Sequence, residues 1–379
     1  MNLAILIARF PPGVVGGAEI QALEWARRLA ARHRVTVVTR RHPASQPERE
    51  VREGFEVIRL RRSALPLWRT WSDLHQIDRT ISTLTPKPDL LLCFQTFVSG
   101  LAGVRVQRRQ SIPAVVWIRG EMEYCLGASW RARLLGPNTW RTAAGVLVQT
   151  EEIRLSLLRE LRERAPTLEP AVAEHLEVVP NGVELPLGPL ARGRRVLCVG
   201  RLIENKGIDT AIKAVADVGA ELTVAGDGPE RPALEALARE IGLKVRFEGM
   251  VSRERLQSLY REAKCLVLSA RRGEGMPNVL LEAMAYGVPV IATPIAGIRD
   301  LVIDNHNGLL VPPNNIQALS TALRRLEVEP GLTDRLGRAA RETAAAFNWD
   351  LIYPRLDMLL ELWRKSKSTA VPCTTGRRA

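Results

Sequence analysis

No apolar run in this sequence approaches the roughly 18–20 residues that a bilayer-spanning helix needs. The opening NLAILIARFPP has no basic residue ahead of its apolar stretch, so it reads as a buried first strand and not a signal peptide. A soluble, cytoplasmic protein is expected. Cysteine is scarce: the five (Cys93, Cys125, Cys198, Cys265, Cys373) are odd in number, scattered and never form C-x-x-C. Three sit inside the apolar runs DLLLCF, RVLCVG and KCLVLS. That is the usage of small core residues in a reducing compartment, and it excludes a disulfide framework and a zinc site. The histidines (His33, His42, His75, His175, His306) show no ligand spacing, and no D-x-D pair is present to hold Mg²⁺ or Mn²⁺ on a diphosphate. No metal is therefore expected. The absence of G-x-x-x-x-G-K-[ST] removes P-loop chemistry, and the absence of G-x-S-x-G removes a nucleophile elbow. Without zinc-finger spacing, a helix-turn-helix signature or an RNA-binding aromatic motif, nucleic acid is not an expected partner.

The 379 residues are too many for one ordinary domain and suit two. With 46% hydrophobic and 25% charged residues the composition is globular, which drops disordered, collagen-like and coiled-coil readings. Net charge is +13, and residues 1–150 alone hold 22 basic against 11 acidic side chains. Such an excess attracts an anion, whether acidic lipid or a phosphorylated substrate.

The chain alternates β and α. Strands are expected at 3–10, 34–40, 55–60, 89–94, 114–119 and 145–150, mostly as continuous apolar runs, as parallel strands covered on both faces require. A stretch with Pro180, Asn181, Gly182, Pro186, Gly188 and Pro189 then reads as a linker. After it the scheme restarts, with strands at 194–202, 220–228, 245–251, 264–270, 289–294 and 308–313. The expected fold is α/β: two Rossmann-like, doubly wound parallel-sheet domains facing a cleft, over 1–183 and 184–347. A C-terminal helix over 348–365 is expected to return to the N-terminal domain, followed by a disordered tail over 366–379.

In such folds ligands bind at the carboxyl ends of strands. The most informative loop is EGMPNVLLEAMAYGVPVIATP (274–294). Asn278 is expected to cap a helix over 279–286, with Gly287 at its end and Pro289 beyond. Val279 and Leu280 would then carry open N–H groups, an anion site. Glu274 and Glu282 flank it, and carboxylates accept hydroxyl hydrogen bonds, so one can hold a ribose and the other a sugar. A bare E-x7-E would mean a surface residue and a helix-dipole partner, but its embedding in this loop argues otherwise. In VGRLIENKG (199–207), Arg201 can fork onto a diphosphate and Lys206 can add a point charge. In GVVGGAE (13–19), Gly16 and Gly17 permit positive φ and a close backbone approach, although G-x-G-x-x-G is absent.

In order and spacing, VGRL…NKG, VAGDGPER, VRFEGMV, LVLSA, EGMPNVLLEAMAYGVPVIAT, AGIRDLV and NGLLVPP resemble glycosyltransferase family 4 over about 178–313. The first half rests on its opening strand, GGAE and the strand order. The resemblance implies a GT-B-fold, retaining, metal-independent enzyme moving a sugar from a UDP- or GDP-sugar to a glycan or lipid-linked acceptor. It implies that Arg201 and Lys206 neutralise the diphosphate and that Val279 and Leu280 hold phosphate oxygens. Glu282 would bind the ribose and Glu274, with Gly275, Met276, Pro277 and Asn278 beside it, the donor sugar. Gly16 and Gly17 would approach the phosphates from the other half. Many members carry His-Gly after the fifth strand. Here Arg119–Gly120 stands there, which excludes a base and leaves charge stabilisation. Asp300 stands where the family usually has Glu.

Three other readings stay open on the residues: a sugar-nucleotide 2-epimerase of the same fold, a glycoside hydrolase using Glu274 and Glu282, and a non-catalytic sugar-nucleotide-binding subunit. Trp68, Trp71, Trp117, Trp130 and Trp140 lie in the basic first half, several beside arginines such as Arg69, Arg131 and Arg133. They are expected either in the core or at an anionic membrane surface, the latter placing the protein peripherally on the inner face of the cytoplasmic membrane.

Overall fold

The computed structural model describes residues 1–12, 16–43, 45–61, 69–191 and 193–365. Two compact units are present, one of Met1–Val148, Arg154–Val179 and the chain from Tyr353, the other of Gln149–Ile153 and Pro180–Ile352. The sequence boundary at 183/184 thus falls just beyond the structural division at 179/180.

The first unit holds β1 (Asn2–Leu6), β2 (Arg34–Arg40), β3 (Arg49–Arg52), β4 (Phe55–Leu60), β5 (Leu90–Phe94), β6 (Ala114–Trp117), β7 (Gly145–Val148) and β8 (Leu176–Val178). They form one sheet in the order β3-β4-β2-β1-β5-β6-β7-β8, parallel except for the antiparallel β3–β4 pair. Central strands are buried on both faces, as in β5, where all of LLLCF is buried. That is why the continuous apolar runs mark them. The second unit holds β9 (Arg195–Val199), β10 (Leu222–Ala225), β11 (Val245–Gly249), β12 (Ala263–Leu268), β13 (Val290–Ala292) and β14 (Leu309–Leu310), all parallel, in the order β11-β10-β9-β12-β13-β14. Two cores cover its faces: Val196 and Cys198 of β9 point into one and Leu197 into the other. Each such fully buried aliphatic side chain contributes about 1.5–3 kcal/mol.

Strand order reverses between β1 and β5 in one sheet and between β9 and β12 in the other. Those switch points open the crevices where ligands of doubly wound folds bind.

The C-terminal helix, Trp349–Lys365, joins the first unit from Tyr353 onward. There Asp357 accepts from Arg32 at 3.0 Å and pairs with His33 Nε2 at 2.6 Å. Trp363 lies so close over Gly145 that a Cβ there would sit 2.3 Å from its ring. Cys93, Cys198 and Cys265 are core residues, with burial pushing the Cys198 and Cys265 thiols up to about 12; Cys125 is half-buried, and Cys373 lies outside the described residues. No described helix is long and apolar enough to cross a membrane.

Candidate active site

The second unit's switch point gathers the charged residues of both sequence motifs. After β9 the chain turns through Gly200 at φ +152, passes Arg201 and makes a single 3₁₀ turn, Glu204–Lys206. Gly207 follows at φ +62 and starts the helix Ile208–Val218. A Cβ on Gly207 would lie 2.1 Å from the Ser269 carbonyl oxygen, and Ser269 Oγ donates to the Gly207 carbonyl at 2.7 Å. Only glycine allows this loop to seat against the end of β12. Arg201 is exposed. Lys206 Nζ forms an ion pair with Glu274 Oε1 at 2.7 Å, both side chains being largely buried. The expected diphosphate cation and the expected sugar-binding carboxylate therefore touch each other, 68 residues apart in sequence.

The loop carrying Glu274 is fixed from two sides. Arg271, at its start, donates to both carboxylate oxygens of Asp209 (2.8 and 2.6 Å), to Asn314 Oδ1 at 2.7 Å and to the Glu204 carbonyl at 2.7 Å. Gly297, at φ +81, packs so tightly that a Cβ would stand 1.6 Å from the Gly275 carbonyl oxygen. Asn181 Nδ2 donates to the Met276 carbonyl at 2.8 Å and to Asn278 Oδ1 at 2.6 Å.

The helix that follows runs Asn278–Ala285, one residue earlier than expected, and its cap is Pro277. Asn278 is thus inside the helix, and its amide oxygen serves Asn181 instead of capping. Proline accounts for the shift, since its fixed φ of −74° and extended ψ of 114° already form the entry. The expectation of open N–H groups is also corrected at Leu280, which donates to the Pro277 carbonyl at 3.2 Å. Asn278 and Val279 stand in the first turn ahead of it. Glu282, one turn on, accepts from Tyr260 Oη at 2.8 Å. Burial first, and the Glu282 carboxylate second, push the Tyr260 hydroxyl well above its usual range. Tyr260 therefore stays a donor and fixes the carboxylate's direction.

In the first unit, Gly16 precedes the helix Gly17–Ala30 with φ −118° and ψ −178°. Neither Gly16 nor Gly17 takes positive φ, which corrects the sequence reason for them. At Gly16, Glu19 Oε2 accepts from the backbone N–H at 3.0 Å and so holds the start of the helix.

Arg119 follows β6, 9% exposed, with its guanidinium 5.0 Å from the Trp117 ring centroid and 5.5 Å from that of Phe94. Burial lowers it to about 10, opposed by the Glu123 and Glu19 carboxylates, so it remains a cation at neutral pH. Glu123, which the sequence reading passed over, is buried and accepts from the backbone N–H groups of Thr96 (2.5 Å) and Arg119 (2.9 Å). Burial pushes its carboxyl up, and those two donors oppose the shift. It ties the loop after β6 to the turn Thr96–Gly100 after β5, where Trp140 Nε1 also donates to Thr96 Oγ1 at 3.0 Å. That turn holds Gln95 at φ +78 and Val98 at φ +65, ψ −67. Such backbone costs about 1–3 kcal/mol per residue and gathers at functional sites.

Among the tryptophans, Trp117 and Trp140 are fully buried, the core alternative of the two expected; Trp71 (59%) and Trp130 (68%) are exposed, and Trp68 lies outside the described residues. Asp300 accepts from the Glu152 backbone N–H at 2.7 Å, capping the helix Glu151–Arg164. The signals for the missed residues were weak: Arg271 stands three residues beyond the buried strand β12, and Glu123 lies four residues beyond Arg119.

A glycosyl transferase 4-like domain model matches residues 16–182, and a model of glycosyl transferases group 1 matches residues 189–343. An uncharacterized glycosyltransferase of Methanocaldococcus jannaschii is 25% identical over 383 residues, covering 93% of this chain and 96% of that protein. An exopolysaccharide phosphotransferase of Streptomyces coelicolor is 30% identical over 222 residues, which is 56% of this chain but only 23% of that protein's length. The crystal structure of Anabaena HepE in complex with UDP and glucose superposes with a TM-score of 0.78 at 18% identity, covering 95% of this chain and 99% of that one. With both motif blocks built into two parallel α/β units, the chain belongs to the GT4-type glycosyltransferases, enzymes of the GT-B fold.

Proposed function

We propose that this enzyme transfers a sugar, with retention and without a metal, from a UDP- or GDP-sugar to a glycan or lipid-linked glycan. The observation that carries the reading is the Lys206–Glu274 contact between the ends of β9 and β12. A cation and a hydrogen-bond-accepting carboxylate in contact suit the diphosphate and the sugar hydroxyls of one donor. UDP and glucose in the HepE complex support the donor class.

In this reading Lys206 and Arg201 take up charge on the departing diphosphate. The first turn at Asn278 and Val279, with Leu280 behind it, faces the phosphates, and Glu282, aimed by Tyr260, holds the ribose. Glu274 and the backbone of Gly275, Met276 and Pro277 hold the sugar. The bond from the anomeric carbon to the phosphate oxygen breaks as the acceptor oxygen bonds on the same face, and the acceptor's proton goes to the leaving phosphate oxygen. Catalysis is positioning plus electrostatics. In this reading the two cations, Arg201 and Lys206, do the work a metal would do.

The test is a donor screen across UDP-, GDP- and ADP-sugars with product mass spectrometry. A new glycoside formed only with acceptor supports transfer; a changed sugar nucleotide with the donor alone means an epimerase.

The acceptor is proposed to lie at the inner face of the cytoplasmic membrane. Trp130 and Leu134 (64% exposed) lie one turn apart on one helix, with the Arg131 guanidinium 5.5 Å from the Trp130 ring. Apolar bulk beside cations suits an acidic lipid surface. In co-sedimentation the protein is expected to pellet with anionic vesicles at low salt, to be released at moderate salt, and to lose binding when Arg131 and Arg133 become Glu. Protein left in the supernatant at low salt would make the acceptor a soluble one.

A further inference from the structure

A helix packed on one body needs one apolar stripe. The C-terminal helix has two. Ile352, Leu356, Leu359, Leu360 and Trp363 are buried against the protein, while Leu351, Met358 and Leu362 stand 62, 65 and 60% exposed. The exposed three are spaced seven and four residues apart, the spacing of a helix–helix seam. Arg355 and Glu361 lie on either side of Met358 along that same face. We propose that a second copy of this chain docks there, antiparallel, with Met358 on the two-fold axis.

The charge pattern selects this occupant. In an isologous contact residue i meets j and j meets i. With Met358 on the axis, position 355 meets 361, so two Arg–Glu pairs form by symmetry. Leu362 lands on Pro354, and the aliphatic stem of Lys365 covers Leu351. Both have local partners at present: Arg355 lies 3.7 Å from Glu177, and Glu361 accepts from its helix neighbour Arg364 at 2.9 Å, all four side chains partly exposed. Exposed pairs of this kind exchange at little cost. An anionic membrane fits the face poorly, because Glu361, flanking Met358, would meet acidic headgroups. A single helix pair is smaller than a standard interface of about 1,200–2,000 Å². The dimer is thus a weak, concentration-dependent one, and it stands whether or not the transfer reaction is as proposed above.

Sedimentation equilibrium of the full chain over about 5–500 μM tests it. A reversible dimer is expected. Met358→Asp should raise Kd at least about tenfold, and Arg355→Glu should raise it about tenfold by opposing like charges twice. Adding Glu361→Arg to Arg355→Glu should restore the original value, while thermal melting confirms that each variant stays folded. A monomer throughout the range, a dimer indifferent to Met358→Asp, or failure of the double charge swap to restore it would overturn the proposal. So would a monomer that needs Met358 to bind phosphatidylglycerol vesicles.

Discussion

Alanine at Arg201 or at Lys206 is expected to lower turnover by about 10²–10³-fold, the usual loss when one preorganised charge is removed from a developing anion. The effect should fall on kcat more than on KM, because each cation reaches full value only as the diphosphate leaves. Stability should separate the two variants. Arg201 is exposed, so its removal should leave unfolding within about 0.5 kcal/mol of wild type. Lys206 pairs with the largely buried Glu274 at 2.7 Å, so its removal orphans a carboxylate and should cost about 1–3 kcal/mol. Steady-state kinetics beside thermal melts reads both. Turnover within about threefold of wild type in either variant would remove that residue from the leaving-group role.

Gly297→Ala should be the most damaging single-methyl change near the site. At φ +81 an L residue costs about 1–2 kcal/mol. The new Cβ would also lie 1.6 Å from the Gly275 carbonyl oxygen, which must move, adding about 1–3 kcal/mol. Together these predict a loss of about 3 kcal/mol and a fall in Tm of about 10 °C. The moving atoms belong to the Glu274–Gly275 backbone, so donor-dependent turnover should drop at temperatures where the variant is still folded. Alanine at Gly331, also at positive φ but with nothing within 4 Å of its Cβ, is the control that separates strain from collision. Equal melting temperatures for the two variants would contradict the account of the loop.

Fold class was readable because parallel strands buried on both faces write themselves as unbroken apolar runs, and β2 and β4 match their sequence bounds residue for residue. The strand REVR at 49–52 was not readable, since this antiparallel edge strand holds three charged residues and one exposed valine and has no apolar run. At the site, glycine and charge spacing located the loops, because turns at positive φ and open charges are local needs. The partnerships were hidden. Lys206 with Glu274, Glu282 with Tyr260 and Arg271 with Asp209 each join distant segments, and no local pattern specifies which carboxylate a cation meets. Trp117 and Trp140 stayed undecided between core and interface for a related reason. An aromatic beside an arginine looks alike in core and interface until strand register and helix face decide. Asn278 misled because Pro277 competed for the cap and its fixed φ won.

The central claim is that Arg201 and Lys206, at the end of β9, take the place of a metal on a nucleotide-diphosphate sugar. The most direct measurement is the donor screen run in excess EDTA, with products weighed and the new linkage's anomeric configuration read by proton NMR. The account predicts transfer from a UDP- or GDP-sugar at an undiminished rate with the donor's configuration kept. Turnover that vanishes in EDTA and returns only with Mg²⁺ or Mn²⁺ would contradict it.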